Sequence, residues 1–108
     1  MDFIEQPNRI YAVNGSGTPV ASISFPNRSN TESPVQLVEI NHTFVDDSLR
    51  GQGVASKLVE AAVAKLRREH KKAYVTCSYA QKWFQNHPEA ADVLAEPTEH
   101  IPESPRVL

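Results

Sequence analysis

Arg50-Gly51-Gln52-Gly53-Val54-Ala55 is the stretch on which the reading of this chain turns. Two glycines one residue apart lie where an alternation of period two stops and a helical period begins. Upstream, Val35 to Val45 places Val38, Ile40, His42 and Phe44 on one face, with Val35, Leu37, Glu39, Asn41, Thr43 and Val45 on the other, which predicts one long strand. Downstream, Val54, Leu58, Ala62 and Leu66 form an i, i+4 stripe flanked by Ala55, Val59 and Val63, while Lys57, Glu60, Arg67 and Arg68 fall on the polar side. A helix therefore starts at Val54 and ends near His70, its basic last turn suiting the helix dipole. Such a junction can hold an anion. Glycines admit positive φ and close backbone approach, and the first helical turn offers unpaired N–H groups at the positive end of the dipole. The arrangement of Arg50, Gly51, Gln52, Gly53, Val54 and Ala55 suits a pyrophosphate, with Arg50 adding a charge-assisted contact and Lys57 another at the rim. The competing reading is a plain turn into a helix.

Working outward, Ala73 to Ser78 reads as a strand, and strand-helix-strand order makes it parallel to the first. Toward the N-terminus, Arg9–Val13 and Pro19–Phe25 flank the turn-forming Asn14-Gly15-Ser16-Gly17-Thr18 and predict a hairpin. Residues 26–34 are rich in Asn, Ser and Pro and predict an exposed connection. Tyr79 to Asn86 predicts a short helix with Trp83 and Phe84 turned inward, and His87-Pro88 starts another through Glu89 to Leu94. The fold class is mixed α/β: one domain over residues 1–96, followed by a proline-rich, flexible tail over 97–108.

The 108 residues leave room for one modest core. Thirteen acidic against eleven basic side chains, a formal net charge of −2, provide no global field toward nucleic acid or membranes, and neither is expected as a partner. Cys77 is the single cysteine and has no zinc-ligand spacing with His42, His70, His87 or His100, so no metal is expected. The start of the chain lacks the basic and apolar runs of a signal peptide and no segment reaches membrane-spanning length, which predicts a cytoplasmic protein, a monomer or weak dimer.

The glycine turn is not a Walker A loop, because no Lys-Ser/Thr follows it in place, and it lacks the third glycine of a dinucleotide fingerprint. It resembles instead the coenzyme A loop of the GCN5-related N-acetyltransferase superfamily, Gln/Arg-x-x-Gly-x-Gly/Ala, at Arg50, Gly53 and Ala55. Ile40-Asn41-His42-Thr43-Phe44-Val45, Leu58-Val59-Glu60-Ala61-Ala62, Cys77-Ser78-Tyr79-Ala80, Phe84 and His87-Pro88 extend the resemblance to the small YjdJ-type branch, over Ile10 to Leu94. The resemblance implies a twisted mixed sheet whose two central parallel strands, here Val35–Val45 and Lys72–Ser78, splay apart to admit acetyl-coenzyme A. It further implies backbone bonds from near Phe44 and Val45 to the pantetheine arm, and amides of Arg50 to Ala55 around the pyrophosphate. Full-sized members carry two helices between their first two strands. This chain has only a turn there, and so lacks that wall for a large acceptor.

Acetyl transfer from the thioester to an amine requires a deprotonated amine, a polarised carbonyl, alignment, and a proton for the leaving thiolate. His42 is a candidate base, titrating near neutrality on the strand beside the cofactor, against a packed or surface histidine. Cys77 ends the partner strand and is a candidate for a covalent acetyl route, paired with His42 across the splay, against a small buried apolar group. Tyr79 is a candidate proton donor to the thiolate, against a packing residue. The favoured function is direct transfer to an unidentified amine in a ternary complex. A non-catalytic acyl-coenzyme A-binding or sensing protein is the alternative, and a redox-sensing Cys77 is a third reading.

Overall fold

A computed structural model describes residues 2–28 and 36–95. The expected tail over 97–108 and most of the expected connection over 26–34 lie outside the described residues. Among the described residues the elements are β1 (Ile4–Gln6), β2 (Arg9–Val13), β3 (Pro19–Ser24), β4 (Gln36–Ile40), β5 (His42–Val45), α1 (Val54–Glu69), β6 (Lys71–Val75) and α2 (Ser78–Gln85), with 3-10 turns at Asp47–Leu49 and Pro88–Val93. Strands β1, β2, β3 and β5 form an antiparallel sheet in that order, while β4 pairs with β6 in parallel.

The hairpin of β2 and β3 is closed by Asn14, whose side-chain oxygen accepts from the amides of Ser16 at 2.9 Å and Thr18 at 3.1 Å. Ile10 and Ala12 of β2 and Ala21 and Ile23 of β3 are fully buried and pair across the strands. Against this face packs α1, which buries Val54, Leu58, Val59, Ala62, Val63 and Leu66, the stripe the sequence marks out. The helix ends in a left-handed His70 at φ 58°, whose N–H returns to the carbonyls of Leu66 and Arg67. Arg68 reaches Glu5 of β1 at 2.7 Å, fastening the edge strand to the helix.

The expected single strand from Val35 to Val45 is two strands in two sheets. Up to Ile40 the chain pairs with β6, where Val38 and Ile40 are buried. At Ile40 one carbonyl accepts the amides of both Thr76 and Cys77, each at 3.1 Å, and the parallel ladder stops there. Asn41 turns instead to β3, its amide donating to Ser24 O at 3.3 Å and its side-chain oxygen accepting from Ser24 Oγ at 2.9 Å. The inward phase slips by one residue at this point. Thr43 pairs with Ile23 and Val45 with Ala21 on the α1 face, while His42 and Phe44 turn to the opposite face. For the same reason the last strand is Lys71–Val75, not Ala73–Ser78.

Strand β1, joined to β2 by Pro7-Asn8 alone, has no counterpart in the sequence pattern. No helix intervenes between these first two strands. Ile4 and Phe44, 41% and 40% exposed, therefore stand on the open face of the sheet.

Candidate active site

The partner exchange at Asn41 builds the cleft. Strands β4 and β6 are held together up to Ile40, beyond which β5 follows β3 and the chain after Val75 departs into α2. A gap opens with β5 as its wall. In the β3–β5 ladder, Asp46 N donates to Val20 O at 2.8 Å, so residues of the same parity, Phe44 and His42, also bond toward β3. The N–H and C=O groups of Thr43 and Val45 consequently face the gap. The expectation centred on Phe44 and Val45 thus resolves, by register, into Thr43 and Val45 as the residues whose backbone faces the gap, the Thr43 amide being turned to the Cys77 sulfur.

Beyond β5 the chain is braced by Asp46, whose carboxylate accepts from Ser48 Oγ at 2.7 Å and Ser48 N at 3.0 Å. The hydroxyl and then the amide of Ser48 hold that carboxyl below its usual range. Gly51 and Gly53 follow at φ 83° and 75°, and Gly53 is the N-cap of α1 with no side chain capping the helix. Beyond its chain neighbours, no protein atom lies within 4 Å of where a Cβ on Gly53 would sit. The first turn of α1, Val54 to Ser56, lines a cleft.

The cleft has a volume of about 690 Å³. It is lined by Thr43, Phe44 and Val45 of β5, by Arg50, Gly51 and Gly53 of the turn, by Val54 and Ala55 of α1, and by Tyr79 of α2. Gln52, Lys57, His42 and Cys77 do not line it. Gln52 is exposed and its side chain reaches back to Ser48 O at 3.5 Å, while Lys57 is exposed on the polar side of α1. Arg50 pairs with Asp47 at 2.9 Å, both side chains well exposed. Such a surface pair contributes little and yields readily to a phosphate.

Cys77 meets Thr43, not His42: its Sγ lies 3.5 Å from Thr43 Oγ1. His42 is exposed on the other face of β5, so the structure does not bring the two together. The thiol stands at the N-cap of α2. Burial raises its pKa, but the Thr43 hydroxyl and the amides of Ala80, Tyr79 and Thr43 outweigh burial and bring it below the ordinary thiol range. Tyr79 is shifted the other way, by burial first and by the neighbouring Cys77 charge second, so its phenol keeps its proton. Ser56, which also lines the cleft, escaped the sequence reading because a serine three residues into a helix carries no signal of its own. Among the described residues no group of three or more His, Cys, Asp or Glu could hold a metal ion, and no helix is long and apolar enough to cross a membrane.

A family model described as GCN5-related N-acetyl-transferase matches residues 9–93. The solution structure of a GCN5-like putative N-acetyltransferase from Staphylococcus aureus is similar at a TM-score of 0.67 and 28% identity, covering 92% of this chain and 94% of that one. A chain of the NatC complex bound to Gag peptide and CoA is similar at 0.57 and 28% identity, over 72% of this chain and 54% of that one. Among curated proteins, human NATD1 is 40% identical over 53 residues, 49% of this chain and 47% of that protein. The chain thus spans about half the length of the curated relatives it matches.

Proposed function

Because the chain belongs to the GCN5-related N-acetyltransferase family, we propose that its cleft binds acetyl-coenzyme A and that the protein transfers the acetyl group directly to an amine. The observation that carries this reading is the coincidence, in one cleft, of an uncapped helix start behind Gly53 and an edge of β5 that no strand covers beyond Ile40. The first can hold a pyrophosphate with backbone N–H groups and Arg50. The second can bond the amide-bearing pantetheine arm as an added strand would, through Thr43 and Val45.

In this reading the backbone N–H groups at the open edge of β5 polarise the thioester carbonyl, and the neutral amine attacks its carbon. The C–S bond breaks as the C–N bond forms. Tyr79, protonated and at the rim, gives its proton to the departing thiolate. The ammonium proton passes to solvent water, which returns a proton to the Tyr79 phenolate; His42, on the far side of β5, meets that solvent and not the cleft. Cys77 then tunes Tyr79 electrostatically and stays outside the covalent route. Lys57, outside the cleft, contributes only a distant positive charge. The acceptor site is open to solvent, and a cytoplasmic setting is part of the proposal.

One observation favours the second reading, binding without turnover: among the described residues no histidine lines the cleft. Incubation with acetyl-coenzyme A and a panel of primary amines, with free coenzyme A and acetylated amine followed by mass spectrometry, separates the two. Amine-dependent, stoichiometric formation of both products supports transfer. Saturable binding with no amine-dependent product supports sensing or carriage.

A further inference from the structure

Trp83 lies on α2 and is 6% exposed, as a core residue should be, yet its one polar atom points out of the core. Nε1 donates to Ser56 Oγ at 2.8 Å. Ser56 is the third residue of α1, beside the uncapped N–H groups, and lines the cleft. The indole is fixed on both sides. Phe84 stands edge-on at 5.1 Å and 84°, and the His87 ring is stacked at 3.9 Å and 9°. His87 Nδ1 lies 2.8 Å from Trp83 O, and since a carbonyl only accepts, that nitrogen carries the proton.

The chemistry of this contact has a direction. An indole N–H can only donate, so it occupies the hydroxyl oxygen and leaves the Ser56 proton to be given elsewhere. A hydroxyl that accepts one hydrogen bond is also a better donor of the next. An anion site gains from such a group, because a free hydroxyl divides its time between donating, accepting and bonding back to a carbonyl of the preceding turn.

We infer that Trp83 is a positioning residue for the phosphate end of the cleft: its N–H holds the Ser56 hydroxyl as a donor to the pyrophosphate of acetyl-coenzyme A. The inference rests on the acetyl-coenzyme A reading above and adds to it a side-chain donor and the residue that orients it. It also gives α2 a part in binding a cofactor whose loop lies on a different helix.

The test is an NMR titration of the wild type, Ser56→Ala, Trp83→Phe and the double variant with two probes, acetyl-coenzyme A and S-acetylpantetheine, which lacks every phosphate. Ser56→Ala is expected to weaken acetyl-coenzyme A roughly tenfold, the loss of one hydrogen bond to a charged group. Trp83→Phe keeps an aromatic ring beside Phe84 and His87 but removes the indole N–H, and is expected to weaken it about threefold, through lost orientation and polarisation. Neither should move S-acetylpantetheine. In the double variant the Phe substitution should add nothing, since no hydroxyl remains to orient.

The inference is overturned if Ser56→Ala or Trp83→Phe binds acetyl-coenzyme A as the wild type does, if Trp83→Phe weakens both probes alike, or if the two substitutions add. If Trp83→Phe fails to fold, the wild-type Trp83 Nε1–H resonance decides: it is expected to shift on saturation with acetyl-coenzyme A and not with S-acetylpantetheine, and a resonance that neither probe moves, or that both move alike, overturns the inference. A wild type that binds neither probe removes the reading on which the inference rests, whereas wild-type binding with an indifferent Ser56 removes the inference only.

Discussion

Replacing Gly53 separates what the turn does for the fold from what it does for a ligand. At φ 75° and ψ 17° the residue is left-handed, and a Cβ there would meet no protein atom within 4 Å beyond its chain neighbours. Gly53→Ala therefore costs backbone strain without a clash, about 1 to 2 kcal/mol. Lower entropy of the unfolded chain returns roughly 0.4 to 1 kcal/mol of that. The net loss of about 1 kcal/mol should lower the melting temperature by about 4 to 8 °C for a domain of this size. Gly53→Asn should cost less, because asparagine tolerates this conformation better than alanine does. Binding should respond differently. Either side chain projects into the space that the close backbone approach reserves for phosphate, so both should lose at least about tenfold in acetyl-coenzyme A affinity, some 1.4 kcal/mol. Circular dichroism melts and calorimetric titrations on the same samples read the two effects. Wild-type affinity in a folded Gly53→Asn would refute the close-approach argument, and an unchanged melting temperature in Gly53→Ala would refute the strain argument.

Arg50→Ala should weaken acetyl-coenzyme A by about 1 to 3 kcal/mol if the guanidinium reaches phosphate, and Asp47→Asn, by releasing Arg50, should strengthen it about twofold; calorimetry checks both. Thr43→Val removes the hydroxyl that helps lower the Cys77 pKa, so the pH midpoint of iodoacetamide alkylation should rise, and the rate near pH 7.5 should fall because less thiolate is present. An unmoved midpoint would show that Thr43 does not stabilise the thiolate. Leu58→Ala empties a fully buried site on α1 and should destabilise the fold by about 2 to 5 kcal/mol, read by urea unfolding, whereas Lys57→Ala on the exposed side should stay within about 0.5 kcal/mol.

The helix α1 and the glycine turn were legible because their signals are local: a 3.6-residue stripe over sixteen positions and two glycines at its start. The division of the long strand was not. Nothing in Asn41 itself breaks an alternation; the break arises because Ser24, Thr76 and Cys77, each distant in sequence, compete for the backbone around it. Missing that slip misplaced His42 and Phe44 by one face and suggested a His42–Cys77 pair where the fold makes a Thr43–Cys77 contact. Strand β1 is three residues long and gains its place only by pairing with β2 and by the Glu5–Arg68 bridge. The helical pattern turns Trp83 inward, as the structure has it, but its bond to Ser56 joins two helices across 27 positions of sequence and has no local trace.

The account is tested most directly by an amide NMR titration of the wild-type protein with acetyl-coenzyme A. It predicts saturable shifts concentrated at Thr43, Val45, Gly51, Gly53, Ala55 and Ser56. Absence of saturation at millimolar ligand, or shifts confined to the open sheet face around Ile4 and Tyr11, would contradict it.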